Sequence, residues 1–373
     1  MLLWKEIKKT VLSITFAVFI IFLLAFAISQ EVLNFSNEII TVPQQGEDYG
    51  TQQKEEPELI MPAAFSSLYK EFTANEYIAY PIGFYKNVKL NDTDQEKMAE
   101  IISTLSGVPV DDLLNKSNIK VNLSADISYK IFKECMKQAD NLIGGGSNYS
   151  ENSLLNFSCV KITYEEAVES YNLIASTDKF TGAYARLFCD YIGIILSILP
   201  VFIAVAVCLK DRRAKMNDLI YARKISSFKL ILSRYFAIII AVMLPTVILA
   251  YISNSTIWGQ YSGMNLDYFA PLKYAIGWLM PSAMIAVAIG IFFTELTETP
   301  IAIAIQGLWW FIDLNAGVSR MGGVHTLFEL TPRHNVLGNT QIFLDEFNTL
   351  VANRLVMSCL LYTSPSPRDV EES

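Results

Sequence analysis

The chain has 373 residues, of which 52% are hydrophobic and only 18% charged, and its mean hydropathy is +0.33. Soluble domains carry charge on about 25% of their residues. The apolar residues cluster in runs without a charged residue, at 10–30, 191–209, 235–266 and 274–294. A helix of about 18 or more such residues is long enough to cross the hydrocarbon core of a membrane, which is about 30 Å thick. These features exclude a soluble enzyme, a nucleic-acid-binding protein and a disulfide-framework secreted domain, and they predict an α-helical polytopic membrane protein.

The net charge of −8 averages over two unlike regions. Residues 31–187 carry 13 Lys and Arg against 23 Asp and Glu, whereas residues 210–234 carry eight against two. Basic loops next to spans stay on the cytoplasmic side. The pattern predicts a multi-pass protein of the cell membrane with a cytoplasmic N-terminus and an acidic region outside the cell.

The first segments of the chain are predicted to be a cytoplasmic stretch, 1–9, and transmembrane helix 1, 10–30. A secretory signal peptide is the alternative, but its apolar core covers only about 7–15 residues and ends at a small-residue cleavage site. The apolar run here is longer and lacks a clean site of that kind before Gln30. It therefore favours an uncleaved signal anchor.

Residues 31–187 predict a small, mainly helical α+β extracellular domain between helices 1 and 2, with a linker at 41–60. Thr93-x-x-Glu96 and Thr163-x-x-Glu166 are capping boxes that predict two helix starts. The helical spacing of one set of residues predicts a further helix: Ile131, Cys135, Ala139 and Leu142.

Two alternating stretches of this domain, 77–90 and 119–123, predict strands. Gly144-Gly145-Gly146-Ser147 follows the predicted helix. A phosphate-binding loop requires Gly-x-x-x-x-Gly-Lys-Ser/Thr, which the sequence does not contain, so the glycines predict a helix end and a turn.

The rest of the chain predicts a six-helix bundle whose sixth helix is truncated. Its segments are transmembrane helix 2 at 188–209, a basic cytoplasmic loop at 210–234, helix 3 at 235–252, an outer loop at 253–273, helix 4 at 274–294, a cytoplasmic loop at 295–299, helix 5 at 300–318, an outer loop at 319–349 and the start of helix 6 at 350–358.

Residues 359–373 predict an artefact. Cys359 to Asp369 read CLLYTSPSPRD, which matches the translation of a transposase-based sequencing adapter. A natural Ser- and Pro-containing tail is the alternative. We expect the natural chain to continue with other residues after Ser358.

Few polar residues are candidates for chemistry. The two histidines, His325 and His334, have no Cys or His at metal-ligand spacing and predict surface-loop positions. Gln306 could line a polar pathway, but a helix–helix hydrogen bond is favoured. Asp190 and Glu295 are expected at membrane interfaces. The sequence predicts no catalytic, cofactor or metal site.

Cysteines leave one question open. Cys135 and Cys159 share the predicted extracellular domain, where oxidising conditions permit a disulfide. The alternative is two separate buried thiols, since the sequence does not give the distance between them.

The basic loop carries the strongest functional signal. Met216, Leu219, Ile220 and Arg223 are spaced as one face of a short cationic helix. Such a helix docks on a cytoplasmic partner or lies on the membrane surface. Orientation and lipid contact alone would also explain the charge.

The order of these segments resembles the permeases of bacterial ABC transporters of the type-2 exporter class. The resemblance covers about residues 1–358 and includes several strings: TYEEA from Thr163, TGAYARLFCDYIG from Thr181, PVF from Pro200, the loop 211–229, TPRHN from Thr331, and Asn353-Arg354. It implies an ATP-driven exporter subunit that is not itself an enzyme and binds no cofactor.

This resemblance implies that the loop helix couples to a separate ABC ATPase subunit, which binds ATP and Mg. The implied coupling residues are Asp211, Arg212, Arg213, Met216, Asp218, Leu219, Ile220, Arg223 and Lys224, with Glu295 and Glu298 as a minor contact. The other implied partners are a second permease, identical or paralogous, and the lipid bilayer; nucleic acid is not expected.

The competing hypothesis is a membrane-anchored sensor or adaptor whose extracellular domain binds a ligand or peptide. A four-span, force-transmitting permease also places a domain after its first helix, but it predicts three later spans. The sequence predicts four and the start of a fifth, which argues against that class.

Overall fold

The structure is a computed structural model. It describes residues 2–35, 37–81, 83–115, 121–213, 227–318, 325–333, 337, 338 and 340–359, without the side chains of 211–213, 227, 228, 318 and 359. The described chain is mostly helical. In order, its elements are α1 Leu2–Val11, α2 Ile14–Ser29, β1 Thr51–Gln53, α3 Pro57–Ala74, β2 Tyr77–Ala79, β3 Lys86–Val88, α4 Asp92–Ser106, α5 Val110–Leu114, α6 Tyr129–Ile143, a 3₁₀ turn Leu154–Phe157, β4 Cys159–Lys161, α7 Tyr164–Leu173, a π-helical turn Ile174–Asp178, α8 Thr181–Leu196, α9 Leu199–Arg213, α10 Ser227–Gln260, α11 Ala270–Tyr274, a π-helical turn Ala275–Leu279, α12 Met280–Thr297, α13 Ile301–Val318, α14 Thr340–Asp345 and α15 Phe347–Cys359.

The chain divides into two compact units. The membrane unit comprises Met1–Val42, Val168–Gly317 and Met321–Ser373. The insert unit comprises Pro43–Ala167 with Val318–Arg320. The insert is thus shorter than the extracellular domain predicted at 31–187, because both flanks of that region pack with the membrane unit.

Three helical segments of the membrane unit are long and apolar enough to span a membrane: Thr181–Lys210, Lys229–Gln260 and Ala270–Thr297. A bent pair, α1 with α2, makes up to four, and α13 is a shorter apolar helix. These helices extend beyond the uncharged runs in the sequence, and two of them include a buried arginine, Arg186 and Arg234. The structure therefore fits a helical membrane protein.

The N-terminus forms two helices rather than one span preceded by a short tail. The axes of α1 and α2 are bent by 62°. Ser13 ends the first helix and caps the second, because its Oγ donates to the carbonyl of Thr10 at 2.6 Å and accepts from the amide of Phe16 at 3.1 Å. Residues 10 and 11, predicted to start the span, thus belong to α1.

The insert unit has its own apolar core. Buried side chains from α3, α4 and α6 form it, including Leu68, Ile102 and Phe132. β1 pairs antiparallel with β4, with Gln52 opposite Val160, and β2 pairs antiparallel with β3. This agrees with a small, mainly helical α+β unit.

The helix ends of the insert unit test three sequence predictions. The capping box at Thr163 is confirmed, since the Glu166 carboxylate accepts from the Thr163 amide at 3.0 Å and the Glu166 amide donates to Thr163 Oγ1 at 3.2 Å. The helix start predicted from the capping box at Thr93 is wrong. α4 begins earlier because Asn91 accepts from the Asp94 amide at 2.9 Å. The helix end at Gly144 is confirmed by its φ of +104°.

The glycine run after α6 has a packing role. A Cβ on Gly146 would lie 2.7 Å from the carbonyl oxygen of Tyr80. The Tyr80 amide donates to the carbonyl of Gly146 at 2.8 Å, which fixes the end of β2 against this turn. Of the predicted strand 119–123, residues 119 and 120 lie outside the described residues, and 121–123 are not in a strand.

The buried face of α6 differs from the predicted apolar face by a rotation of about one residue. Ile131 is 47% exposed, whereas Phe132 and Met136 are fully buried. Cys135 and Ala139 lie in the core as predicted.

Candidate functional site

The predicted coupling helix falls outside the described residues or their side chains. This applies to Asp211, Arg212, Arg213, Met216, Asp218, Leu219, Ile220, Arg223 and Lys224. The helices that lead into and out of this segment are described. α9 ends at Arg213 and α10 begins at Ser227, and both belong to helices long enough to span a membrane.

A buried ionic group lies where α10 begins and α12 ends. The Arg234 guanidinium lies 3.5 Å from Glu295 Oε1 and 3.8 Å from Glu6 Oε2. Arg234 and Glu6 are buried. We call Glu6, Arg234 and Glu295 the near-end ion group, because they lie near the start of α10 and the end of α12. The group links α1, α10 and α12. Removing one partner of such a group leaves uncompensated buried charge, which is strongly destabilising.

The two minor coupling candidates, Glu295 and Glu298, differ in burial. Glu295 belongs to the near-end ion group, while Glu298 is exposed and ends α12 in a left-handed conformation with a φ of +59°. The structure thus places Glu295 inside the unit and Glu298 on its surface.

The helix α9 packs closely along α12. A Cβ on Gly290 would lie only 2.6 Å from the Cβ of Ala204, so this glycine permits the approach of the two helices. Small residues have this role at helix contacts in membranes. The two helices are therefore closely packed at Gly290.

The first long span is interrupted between α8 and α9. Pro200 has no N–H and cannot complete the helical hydrogen-bond ladder. The amides of Ile198 and Val201 donate to carbonyls three residues back, at 3.1 and 3.2 Å, rather than four residues back. The carbonyls of Ile194 and Ser197 consequently lose their usual helical donors.

Two side chains of α13 donate to these carbonyls. Gln306 Nε2 donates to Ser197 O at 2.5 Å, and Trp310 Nε1 donates to Ile194 O at 2.8 Å. Residues four apart lie on one helix face, so both reach the same break. The helix–helix hydrogen bond predicted for Gln306 is confirmed. Lipid cannot satisfy backbone carbonyls, which is why an interrupted span requires such donors.

At the opposite end of the helices, residues 325–333 form a partly buried loop, in which His325 and residues 329–332 are buried and residues 326–328 are exposed. The Asp313 carboxylate accepts from the amides of Leu330 and Thr331 at 3.0 and 2.9 Å. The hydroxyl of Ser282 donates to the carbonyl of Leu330 at 2.6 Å. Non-helical backbone is tolerated inside a membrane protein where protein groups satisfy it in this way.

Arg354 of α15 binds several partners around this loop. It donates to the carbonyls of Trp278 and Glu329 at 3.1 and 2.9 Å, and to Ser282 Oγ at 2.8 Å. Its Nε donates to Asn353 Oδ1 at 2.6 Å. Arg354 therefore joins α12, α15 and the loop.

The histidine prediction is wrong for His325. It is buried, and its Nδ1 lies 2.9 Å from the Glu329 carboxylate. A local side-chain contact within the loop therefore joins these two residues inside the protein. His334 lies outside the described residues. The described part of the chain holds no group of three potential metal ligands.

A second buried ion pair lies at the start of α8. The guanidinium of Arg186 pairs with the Asp178 carboxylate through two contacts, one of them at 2.7 Å, and lies 4.4 Å from the ring centre of Phe343. Thr340 also donates to Asp178. The contacts link α8 to α14, so this stretch, predicted to be extracellular domain, belongs to the membrane unit.

Asp190, which was expected at a membrane interface, lies in the protein interior. Asp190 is only 1% exposed, because α8 starts well before the apolar run and places this residue inside the unit. Ionisable side chains inside membrane proteins mark functional positions by default.

Cys135 and Cys159 are both free in the structure. Cys135 is buried in the core of the insert unit, and Cys159 is exposed on β4. Burial raises the pKa of the Cys135 thiol, which keeps it protonated and unreactive. The disulfide that the sequence left open is absent.

Comparison with known proteins gives no further guide: no protein-family model, curated protein or solved structure matches this chain.

Sequence reasoning missed the near-end ion group and Trp310. Charge inside or next to apolar runs was the available signal, since Glu6 and Arg234 flank two predicted spans. Their pairing depends on the approach of α1 to α10, which no local pattern encodes.

Proposed function

We propose that this chain is the permease subunit of an ATP-driven ABC exporter, with a six-helix bundle and the insert unit outside the cell. It moves a substrate across the cytoplasmic membrane with energy from a separate ATPase. That partner binds ATP and Mg, and two permeases pair around the pathway.

The observation that carries this proposal is the way the basic segment 210–234 joins the helices. The segment connects α9 with α10, two helices of spanning length. At its end, Arg234 contacts Glu6 and Glu295 on two further helices. A partner that pushes on the segment therefore moves four helices together.

The broken span supports the same mechanism. At the break near Ser197, side chains of α13 replace the missing helical donors: Gln306 and Trp310 donate hydrogen bonds to the carbonyls of Ser197 and Ile194. An interrupted helix bends more readily than a continuous one, because its ladder lacks bonds at that point. We place the bending of α9 against α8 at this break when the ATPases close.

Association with the ATPase tests the proposal. Leu219→Asp with Ile220→Asp removes the apolar face of the coupling helix, and we expect loss of a co-purifying ATPase that carries Gly-x-x-x-x-Gly-Lys-Ser/Thr. The matched control is Leu114→Asp with Ile131→Asp, an exposed pair in the insert unit. It should retain the ATPase, and both variants should insert normally.

Two results would contradict this account. Retention of the ATPase by the 219/220 variant would remove the coupling assignment. Absence of an ATPase from the wild-type complex would favour the sensor or adaptor, whose ligand would bind the separately folded insert unit.

A further inference from the structure

The helix α1 presents two unlike faces. Glu6 and Thr10, four residues apart, are buried, and α1 packs on α10. The ion pair of Glu6 with Arg234 fixes this side against the membrane unit. The orientation of α1 about its axis is therefore set by protein contacts.

The opposite face combines apolar and cationic side chains. Trp4, Lys8 and Val11 share it, at spacings of four and three residues, and Lys5 lies beside them. Trp4 is 70% exposed and Val11 42% exposed, and both lysines are exposed. Tryptophan and lysine together on one helix face are typical of the membrane–water interface, where the ring and the lysine stem lie in the apolar layer and the ammonium reaches the headgroups.

The connection to α2 places this face at membrane depth. α2 is strongly apolar and has no charged residue, and only two residues separate its start at Ile14 from the end of α1. The 62° bend turns α1 away from the direction of that span and towards the membrane plane. Leu12 and Ile14 at the corner are 74% and 83% exposed, which continues the apolar surface from one helix to the other.

We propose that α1 is an interfacial helix that binds anionic phospholipid headgroups in the leaflet next to the N-terminus. Lys5 and Lys8 contact the phosphates, and Trp4 with Val11 enters the acyl boundary. Net positive charge on the exposed face favours anionic over zwitterionic lipid, since a lysine close to an anionic surface contributes about 1 kcal/mol. The inference rests on α1 alone and holds whether or not an ATPase binds this chain.

The test compares lipids retained by the purified full chain. Native mass spectrometry counts bound phosphatidylglycerol and phosphatidylcholine of identical acyl chains, offered as an equal mixture. We expect the wild type to prefer phosphatidylglycerol. The double variant Lys5→Gln, Lys8→Gln should reduce that preference at the α1 site by about 30-fold, which is the equivalent of two such lysine contributions. Lys5→Arg with Lys8→Arg keeps the charge and should keep the preference.

The matched control is Lys130→Gln with Lys137→Gln, which removes two exposed lysines from α6 of the insert unit. It should leave the preference unchanged. Equal loss in the control, an unchanged preference in the Gln variant, or no preference in the wild type would overturn the proposal. Circular dichroism of each variant identifies loss of helix, and the Arg variant separates loss of charge from loss of fold.

Discussion

Both units of this chain have an apolar core, but they differ in the charged side chains that they bury. In the part of the insert unit that the structure describes, the buried polar side chains, Ser147 and Ser158, are uncharged, and ion pairs such as Lys97 with Asp94 lie at the surface. Among the described residues, the buried Asp, Glu, Arg and His side chains all belong to the membrane unit: Glu6, Asp178, Arg186, Asp190, Arg234, Asp313, His325, Glu329 and Arg354. Water can satisfy charge around the insert, whereas lipid cannot, so the membrane unit keeps its charged groups inside. Burial of charge thus identifies the regions where helices are held in specific arrangements.

The largest expected effect separates buried from exposed charge. Arg354→Met removes the donor shared by Trp278, Ser282 and Glu329, and we expect a loss of about 3–5 kcal/mol of unfolding free energy. The comparison is Lys273→Met, which breaks an exposed pair with Asp267 and should cost less than about 1 kcal/mol. Denaturant titration in detergent measures both. Equal losses would contradict the distinction between interior and surface charge.

A smaller effect is expected at the broken span. Trp310→Phe removes one of two side-chain donors to the carbonyl of Ile194, since Ser197 Oγ still donates to it at 3.0 Å, and the lost bond should cost about 0.5–1.5 kcal/mol. The neighbouring Trp309→Phe provides a matched control for loss of indole area on the same helix. Unfolding of the two variants under the same conditions makes the comparison. A loss at Trp309 as large as that at Trp310 would remove the argument from the hydrogen bond.

The smallest effect concerns the insert unit, where local caps matter more than buried charge. Asn91→Ala should destabilise α4 by about 1 kcal/mol because it removes the acceptor for the Asp94 amide. Thr93→Ala should change stability by less than about 0.5 kcal/mol. Hydrogen exchange at the first turn of α4 measures both variants. The reverse order would restore the helix start expected from the sequence.

Local patterns in the sequence predicted the local features of the fold. Apolar runs predicted crossing helices because hydrocarbon thickness sets their length, and the capping box at Thr163 was found because its partners are three residues apart. Gln306 was predicted to bond another helix, although not the carbonyl of Ser197.

The remaining features depend on contacts between distant segments. Asp190 and His325 were assigned to interfaces or surface loops, yet both are buried because neighbouring helices and the folded-back loop cover them. The near-end ion group joins residues from three helices, so spacing within one segment gives no signal for it. The bend at Ser13 lies inside an uncharged run and is invisible to hydropathy.

ATP hydrolysis by the complex that co-purifies with this chain from its native membrane tests the central claim most directly. The account predicts hydrolysis that co-elutes with the wild-type chain and is lost in the Leu219→Asp, Ile220→Asp variant, while the Leu114→Asp, Ile131→Asp control retains it. A wild-type preparation without hydrolysis, or a 219/220 variant with undiminished activity, would contradict the proposed coupling of this membrane unit to an ATPase.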